Sequence, residues 1–358
     1  MRAFTRLRLA SVLIATSLTV VFGVSTSAYA QRYSQTNLVS DTPGVAAFTD
    51  PLLINPWGMS FSATSPFWVS DAGAGVSTLY QGTGSPVPLV VTIPAPVGSP
   101  IPAIPTGQIF NGTTNFVVSA NGASAPALFL FVTVNGTIAG WNPTVDGTHA
   151  ITAVDNSALG AEYTGLASAN TIKGSFLYAT NFHDGSVEMY DSNFQLVKTF
   201  TDVDLPSGFA PFGIRNLRGK LYVTYAKQDA ARQFDVPGNG RGFVVVFDIH
   251  GKKLTRLVSH GVLNSPWGLA VAPANFGKFS NALLVGNFGN GRINAYDRLT
   301  GAFLGALLDA NGKPVWIDGL WSIAFGNGKT GSSRKALYFT AGPGGGAHGL
   351  FGSLQAIN

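Results

Sequence analysis

Ser265-Pro266-Trp267-Gly268-Leu269-Ala270 opens the stretch that decides the fold; Leu283-Leu284-Val285-Gly286-Asn287, the turn Gly289-Asn290-Gly291 and Arg292-Ile293-Asn294-Ala295-Tyr296-Asp297 complete it. An opening is followed by an apolar strand, a Gly/Asn turn and a second strand that ends in an aromatic and a polar residue. A further strand, residues 302–308, closes the unit. The opening returns as Asn55-Pro56-Trp57-Gly58-Met59-Ser60, and weaker copies stand at Ala210-Pro211-Phe212-Gly213-Ile214, Tyr163-Thr164-Gly165-Leu166 and Pro105-Thr106-Gly107-Gln108. A sixth, Leu320-Trp321-Ser322-Ile323-Ala324, lacks the glycine. Repeats of roughly 40 to 50 residues mark propellers, and four strands per unit make one antiparallel blade. The pattern predicts an all-β, six-bladed β-propeller.

The last unit ends after its third strand, residues 350–357. The N-terminal Thr36-Asn37-Leu38-Val39-Ser40-Asp41 resembles the fourth-strand ends at residues 198–202 and 256–260. It is therefore expected to supply the missing outer strand and close the ring, so that no open edge is left where first and last blades meet.

Composition agrees with strands. There are 44 glycines, 20 prolines and 25 phenylalanines, with only 11% charged residues, and short β-branched and aromatic runs are bounded by Gly, Asn, Asp and Pro. The chain has no cysteine, which excludes disulfides and thiolate metal sites.

Arg2, Arg6 and Arg8 precede an uncharged stretch from Leu9 to Val24, and Ala28-Tyr29-Ala30 offers a signal-peptidase site. Residues 1–30 are expected to be a signal peptide and residues 31–358 a single propeller domain, secreted or periplasmic after cleavage. The apolar stretch is shorter than the roughly 20 residues a membrane span needs, so no span is expected after cleavage. The formal charge of +5 includes the three signal arginines, which leaves +2 and no basic field for nucleic acid.

In an antiparallel blade the start of strand one and the end of strand two share a face. Two recurring positions therefore converge on one mouth of the channel. The first holds Trp57, Thr106, Thr164, Phe212, Trp267 and Trp321; the second includes Asp71, Asn181 and Asn287, with His183 and His348 in nearby turns. The aromatic set is able to stack a sugar or another flat ligand. Its recurrence in several blades favours channel packing for Trp57 and Trp267. Glu162 and Asp318, just before the third and sixth openings, belong to one blade each. They could hold Ca²⁺, act as a general acid and base, or remain solvated loop carboxylates. No cofactor motif is evident: Gly344-Gly345-Gly346 is not followed by Lys-Ser or Lys-Thr, and no Gly-x-Ser-x-Gly turn is present.

The unit from Ala282 to Ile293 resembles the NHL repeat of six-bladed propellers. Almost the whole mature chain looks like an uncharacterised family of exported bacterial proteins. The resemblance rests on Gly136-Thr137-Ile138-Ala139-Gly140-Trp141-Asn142-Pro143, Ala210-Pro211-Phe212-Gly213-Ile214, residues 221–229 and His348-Gly349-Leu350-Phe351-Gly352. It implies fold and export. Calcium-dependent lactonases of the gluconolactonase type carry metal-binding carboxylates at strand-one openings, and the six matching positions here carry none. The expected function is a binding or interaction module whose channel-mouth face takes an extracellular or envelope ligand, a carbohydrate, peptide or protein. The alternative is a hydrolase or lyase with its site over the channel.

Overall fold

The computed structural model describes Met1 and residues 31–357; the expected signal peptide lies outside the described residues. Among the described residues the chain forms six sheets of at least four strands. Blade one comprises Pro56–Ser60, Phe67–Asp71, Val76–Tyr80 and Pro86–Thr92. Blade two comprises Pro105–Phe110, Phe129–Thr133, Thr137–Trp141 and Ile151–Asp155, and blade three Tyr163–Thr171, Gly174–Asn181, Ser186–Tyr190 and Leu196–Phe200. Blade four comprises Phe209–Leu217, Lys220–Lys227, Gly242–Asp248 and Lys253–Ser259, and blade five Pro266–Val271, Leu283–Asn287, Ile293–Tyr296 and Phe303–Ala306. Each first strand lies beside the first strands of its two neighbours, which closes the ring around a channel.

Blade six is made from both ends of the chain. Leu320–Phe325, Ala336–Ala341 and Leu350–Ile357 are completed by Arg32–Ser40, antiparallel to the last strand with Arg32 opposite Ile357 and Ser40 opposite Leu350. The predicted closure is present, and its strand starts earlier than Thr36 because Tyr33 has a place to go. Its ring packs 4.8 Å from that of Phe276, and its hydroxyl donates to the Phe276 carbonyl at 3.0 Å. At the other end of the strand, Asp41 accepts from the Gly349 N–H at 2.9 Å and pairs with His348 Nδ1 at 2.9 Å.

The middle strands owe their apolar runs to burial on both faces. Phe67–Asp71, Phe129–Thr133 and Leu283–Asn287 are buried at every position, whereas outer Leu196–Phe200 buries only its last residue. The core is accordingly divided into wedges between adjacent blades. Trp68 and Leu79 of blade one, for example, meet Phe129, Phe131 and Trp141 of blade two.

The repeated glycine has a steric cause. A Cβ on Gly213 would stand 2.3 Å from the Trp267 carbonyl oxygen, and one on Gly268 would stand 2.5 Å from that of Trp321. Neighbouring first strands approach too closely there for a side chain. At the sixth opening Ser322 replaces the glycine, and a hydroxyl bridges the junction: Thr340 Oγ1 donates to the Trp57 carbonyl at 2.6 Å.

One element escapes the sequence reading. Between the first and second strands of blade two lies a hairpin, Val117–Ala120 with Ala123–Pro126, turned at Asn121-Gly122. Both turn residues have positive φ, 54° and 79°, as an Asn-Gly hairpin turn requires.

Candidate functional site at the two mouths of the channel

Pairing places Pro56 opposite Asp71, Tyr163 opposite Asn181 and Pro266 opposite Asn287. The first-strand starts and second-strand ends thus share one face, together with the loops that join successive blades. Four of the expected residues meet at its centre. Trp57 stacks on Trp321 with ring centroids 3.6 Å apart, and Trp321 stacks in turn on Phe288 at 3.9 Å. Trp267 and Phe212 meet Trp57 obliquely or edge-on, each at 6.4 Å. Trp267 reaches across the channel from blade five to donate its indole N–H to the Thr164 carbonyl of blade three at 3.0 Å. The Trp321 indole donates to Asn55 Oδ1 at 3.0 Å. The small Thr106 and Thr164 at the same level donate to the carbonyls of Tyr163 and Phe212, at 2.6 and 2.7 Å, and leave the space to the large rings. These aromatics form a plug: rings already in van der Waals contact leave no slot for a flat ligand between them.

The polar residues at the second-strand ends are turned inward. Asp71 is fully buried and accepts from the N–H and hydroxyl of Thr78, at 3.0 and 2.7 Å, through one oxygen only. Burial pushes its carboxyl well above the usual range, since two hydrogen bonds from Thr78 do not replace lost hydration. Asn181 donates to Glu188 Oε1 at 2.7 Å, and Asn287 donates to the Val262 carbonyl at 2.8 Å. All three side chains tie strand ends together below the mouth. Glu188 is the centre of a buried network that sequence reasoning missed: Tyr163 donates to it at 2.6 Å, Tyr190 also donates, and Asn156 donates to both phenolic oxygens at 2.8 and 3.0 Å. The signal was a single carboxylate inside the otherwise neutral strand Ser186–Tyr190.

The blade-specific residues lie nearer the surface. His348 belongs to the ring-closing contact with Asp41. His183 is partly exposed, with its Nδ1 enclosed and without a partner. Asp318 is exposed and accepts from the Gly344 N–H at 2.9 Å. Glu162 is partly buried, and burial together with the negative charge of Asp229 pushes its carboxyl up to about 7. Among the described residues no three His, Asp or Glu side chains stand close enough to hold a metal ion, which leaves the Ca²⁺ expectation without support. The connections between blades carry exposed apolar side chains. Leu52, Val97, Leu159, Val203, Val262 and Trp316 occupy the six junctions between blades, one in each, and Phe234 adds another from a long turn of blade four.

The opposite mouth differs. A cavity of about 380 Å³ lies between the first strands, with Trp267 in its wall, and runs to the partly exposed Ser60, Phe61, Ile109, Phe110, Ser168 and Asn216 near the strand ends. Arg215 also lines it, the sole charged residue that does so. Burial pulls its pKa below the ordinary value. Sequence reasoning passed over it, although it is the one charge on any of the six first strands.

Two uncharacterised proteins of Acanthamoeba polyphaga mimivirus are similar to this chain over 326 residues. One is 32% identical across 88% of this chain and 78% of the relative, the other 33% identical across 88% and 84%. The chain belongs to this family of uncharacterised proteins. The relatives are viral, so the expected bacterial and exported character of the family draws no support from them. No family model matches the chain. A streptogramin B lyase has a similar fold, at TM-score 0.52 and 12% identity, with 91% of this chain and 98% of that one covered. A catalytically inactive virginiamycin B lyase from Staphylococcus aureus, solved with quinupristin, gives TM-score 0.51 at 10% identity, covering 92% and 100%. At such identities the likeness concerns the fold alone.

Proposed function

We propose that this protein is an exported interaction module that binds a protein partner through the face carrying the inter-blade loops. One observation carries the reading: every connection between blades presents an exposed large apolar side chain, including a tryptophan, Trp316, that is 62% exposed. Aromatic anchors on a polar surface are the usual energetic centres of protein interfaces. The aromatic plug beneath supports it, because it gives that face a floor in place of a deep substrate pocket. Export rests on the N-terminal pattern: cleavage after Ala30 would leave Gln31 one residue ahead of the closing strand at Arg32.

The test uses a photo-crosslinking residue at Trp316 or Val203, with one at exposed Leu299 on the opposite face as control. A protein adduct is expected from the first two positions alone. The purified partner should bind at least about tenfold more weakly to a Val203→Ser/Phe234→Ser/Trp316→Ser variant of unchanged melting temperature. Equal adducts from both faces, or none, would refute the reading. Export is checked by N-terminal sequencing of protein recovered outside the cytoplasm, which should begin at Gln31.

A second reading, a hydrolase or lyase, is favoured by Glu162, whose carboxyl near 7 suits proton transfer at neutral pH. Turnover of a lactone or ester panel that disappears in Glu162→Gln would support it.

A further inference from the structure

The open end of the channel holds a charge that the rest of the protein does not answer. Arg215 lies two residues after the opening glycine of blade four and reaches across the ring, where Nη1 donates to the carbonyls of Leu269 in blade five and Ile323 in blade six, at 3.1 and 2.8 Å. These contacts fix the guanidinium plane. Nε and Nη2 have no acceptor among the described residues, and no carboxylate pairs with Arg215 there; the buried carboxylate Asp202, by contrast, takes both Lys253 and Arg256. Arg215 is partly exposed, toward the cavity; a guanidinium keeps its charge at any ordinary pH, and a half-enclosed one without a counter-charge attracts an anion.

The surroundings have the form of a site. The cavity volume, about 380 Å³, is at the lower end of the roughly 300–1,000 Å³ typical of small-molecule pockets. The aromatic cluster lies on its inner side, with Trp267 in the shared wall. Ser60, Ser168 and Asn216 line it with neutral polar groups, and Met59 and Phe110 with apolar ones.

We infer that this cavity is a second binding site, separate from the loop face, for a small organic molecule bearing one carboxylate or phosphate group, with Arg215 as its anchor. The free edge formed by Nε and Nη2 offers two parallel N–H donors, the arrangement that receives two oxygens of a carboxylate or phosphate. One cation in a neutral lining matches one anionic group. The apolar wall suits a hydrocarbon or aromatic remainder.

The experiment titrates the purified chain with benzoate and, separately, inorganic phosphate, following heat and tryptophan emission, since Trp267 lines the cavity. Saturable binding at one site is expected for at least one probe, and which probe binds separates carboxylate from phosphate ligands. Arg215→Met should weaken it at least tenfold. Ser60→Asp, which leaves both Arg215 carbonyl contacts in place and adds a competing carboxylate to the lining, should do the same, and it decides the matter if Arg215→Met fails to fold. Leu299→Ser, on an outer turn, should change nothing. No binding of either probe, or affinity unaltered in Arg215→Met or in Ser60→Asp, would overturn the inference. Neither outcome bears on the loop face, which is read by crosslinking.

Discussion

The two mouths of one channel are built from the same six strands and differ in almost every physical respect. At the strand starts, three tryptophans and a phenylalanine from blades one, four, five and six pack ring against ring, while threonines from blades two and three make room for them. A few residues further along the same strands, the aromatics give way to serine, asparagine and one arginine around an open cavity. The closed end derives its order from apolar burial. The open end holds a charge that burial disfavours, which marks it as the end shaped for something other than stability.

The largest effect is expected from abolishing both mouths at once. Deleting residues 31–41 removes the outer strand of blade six and the Asp41 contact with His348, and should eliminate the cooperative melting transition. A truncated chain that melts cooperatively at the original temperature would show that the ring does not depend on this closure. Trp321→Ala comes next. Its indole is stacked on both sides and bonded to Asn55, so the loss should be about 3–5 kcal/mol in urea unfolding. A loss below about 1 kcal/mol would break the description of the closed end as a packed plug.

Gly213→Ala should cost about 1–3 kcal/mol, because the new methyl meets the backbone of Trp267, which cannot rotate away. Ser322→Gly, at the junction that already tolerates a side chain, should cost much less, and the ratio of the two measures how tightly the first strands are drawn together.

The smallest effect concerns pH. The Glu162 carboxyl is raised in the folded protein from 4.5 to about 7, so the folded state holds the proton more tightly than the unfolded chain. Its contribution is favourable below about 4.5 and is lost as pH rises towards about 7. Glu162→Gln should therefore raise the melting temperature at pH 8 relative to the parent and flatten its fall between pH 5 and 8. An unchanged slope would remove Glu162 as a perturbed group and weaken the enzymatic reading with it.

Much of the fold was legible because a blade repeats. Pro-Trp-Gly at 56–58 and 266–268 announces the same close approach of strands twice, and a last unit one strand short announces its partner at the N-terminus. The hairpin at residues 117–126 interrupts a single blade and has no second copy to expose it, though its Asn-Gly turn was visible. The candidate site was legible in part. The recurring openings point Trp57, Trp267, Trp321 and Phe212 to one mouth, and in the structure these rings lie together in one cluster. Asp71, Asn181 and Asn287 were placed at the same end, but their alternation along the strand does not reveal that each turns inward to a neighbouring strand or loop.

By itself the sequence determined the number of blades, their strand order, the closing strand and the position of every opening along its blade, because these follow from local patterns of burial and turn chemistry that each unit restates. Only the tertiary structure decided that the aromatics close the channel, that Glu188 gathers two tyrosines, and that Arg215 faces an open cavity with an unused edge. Those outcomes depend on groups that the fold brings together: Arg215 meets Leu269 from 54 positions away, Trp321 meets Asn55 from 266, and Glu188 gathers Tyr163 from 25. Periodicity within a strand states which way a side chain turns, but not what stands opposite it across a ring.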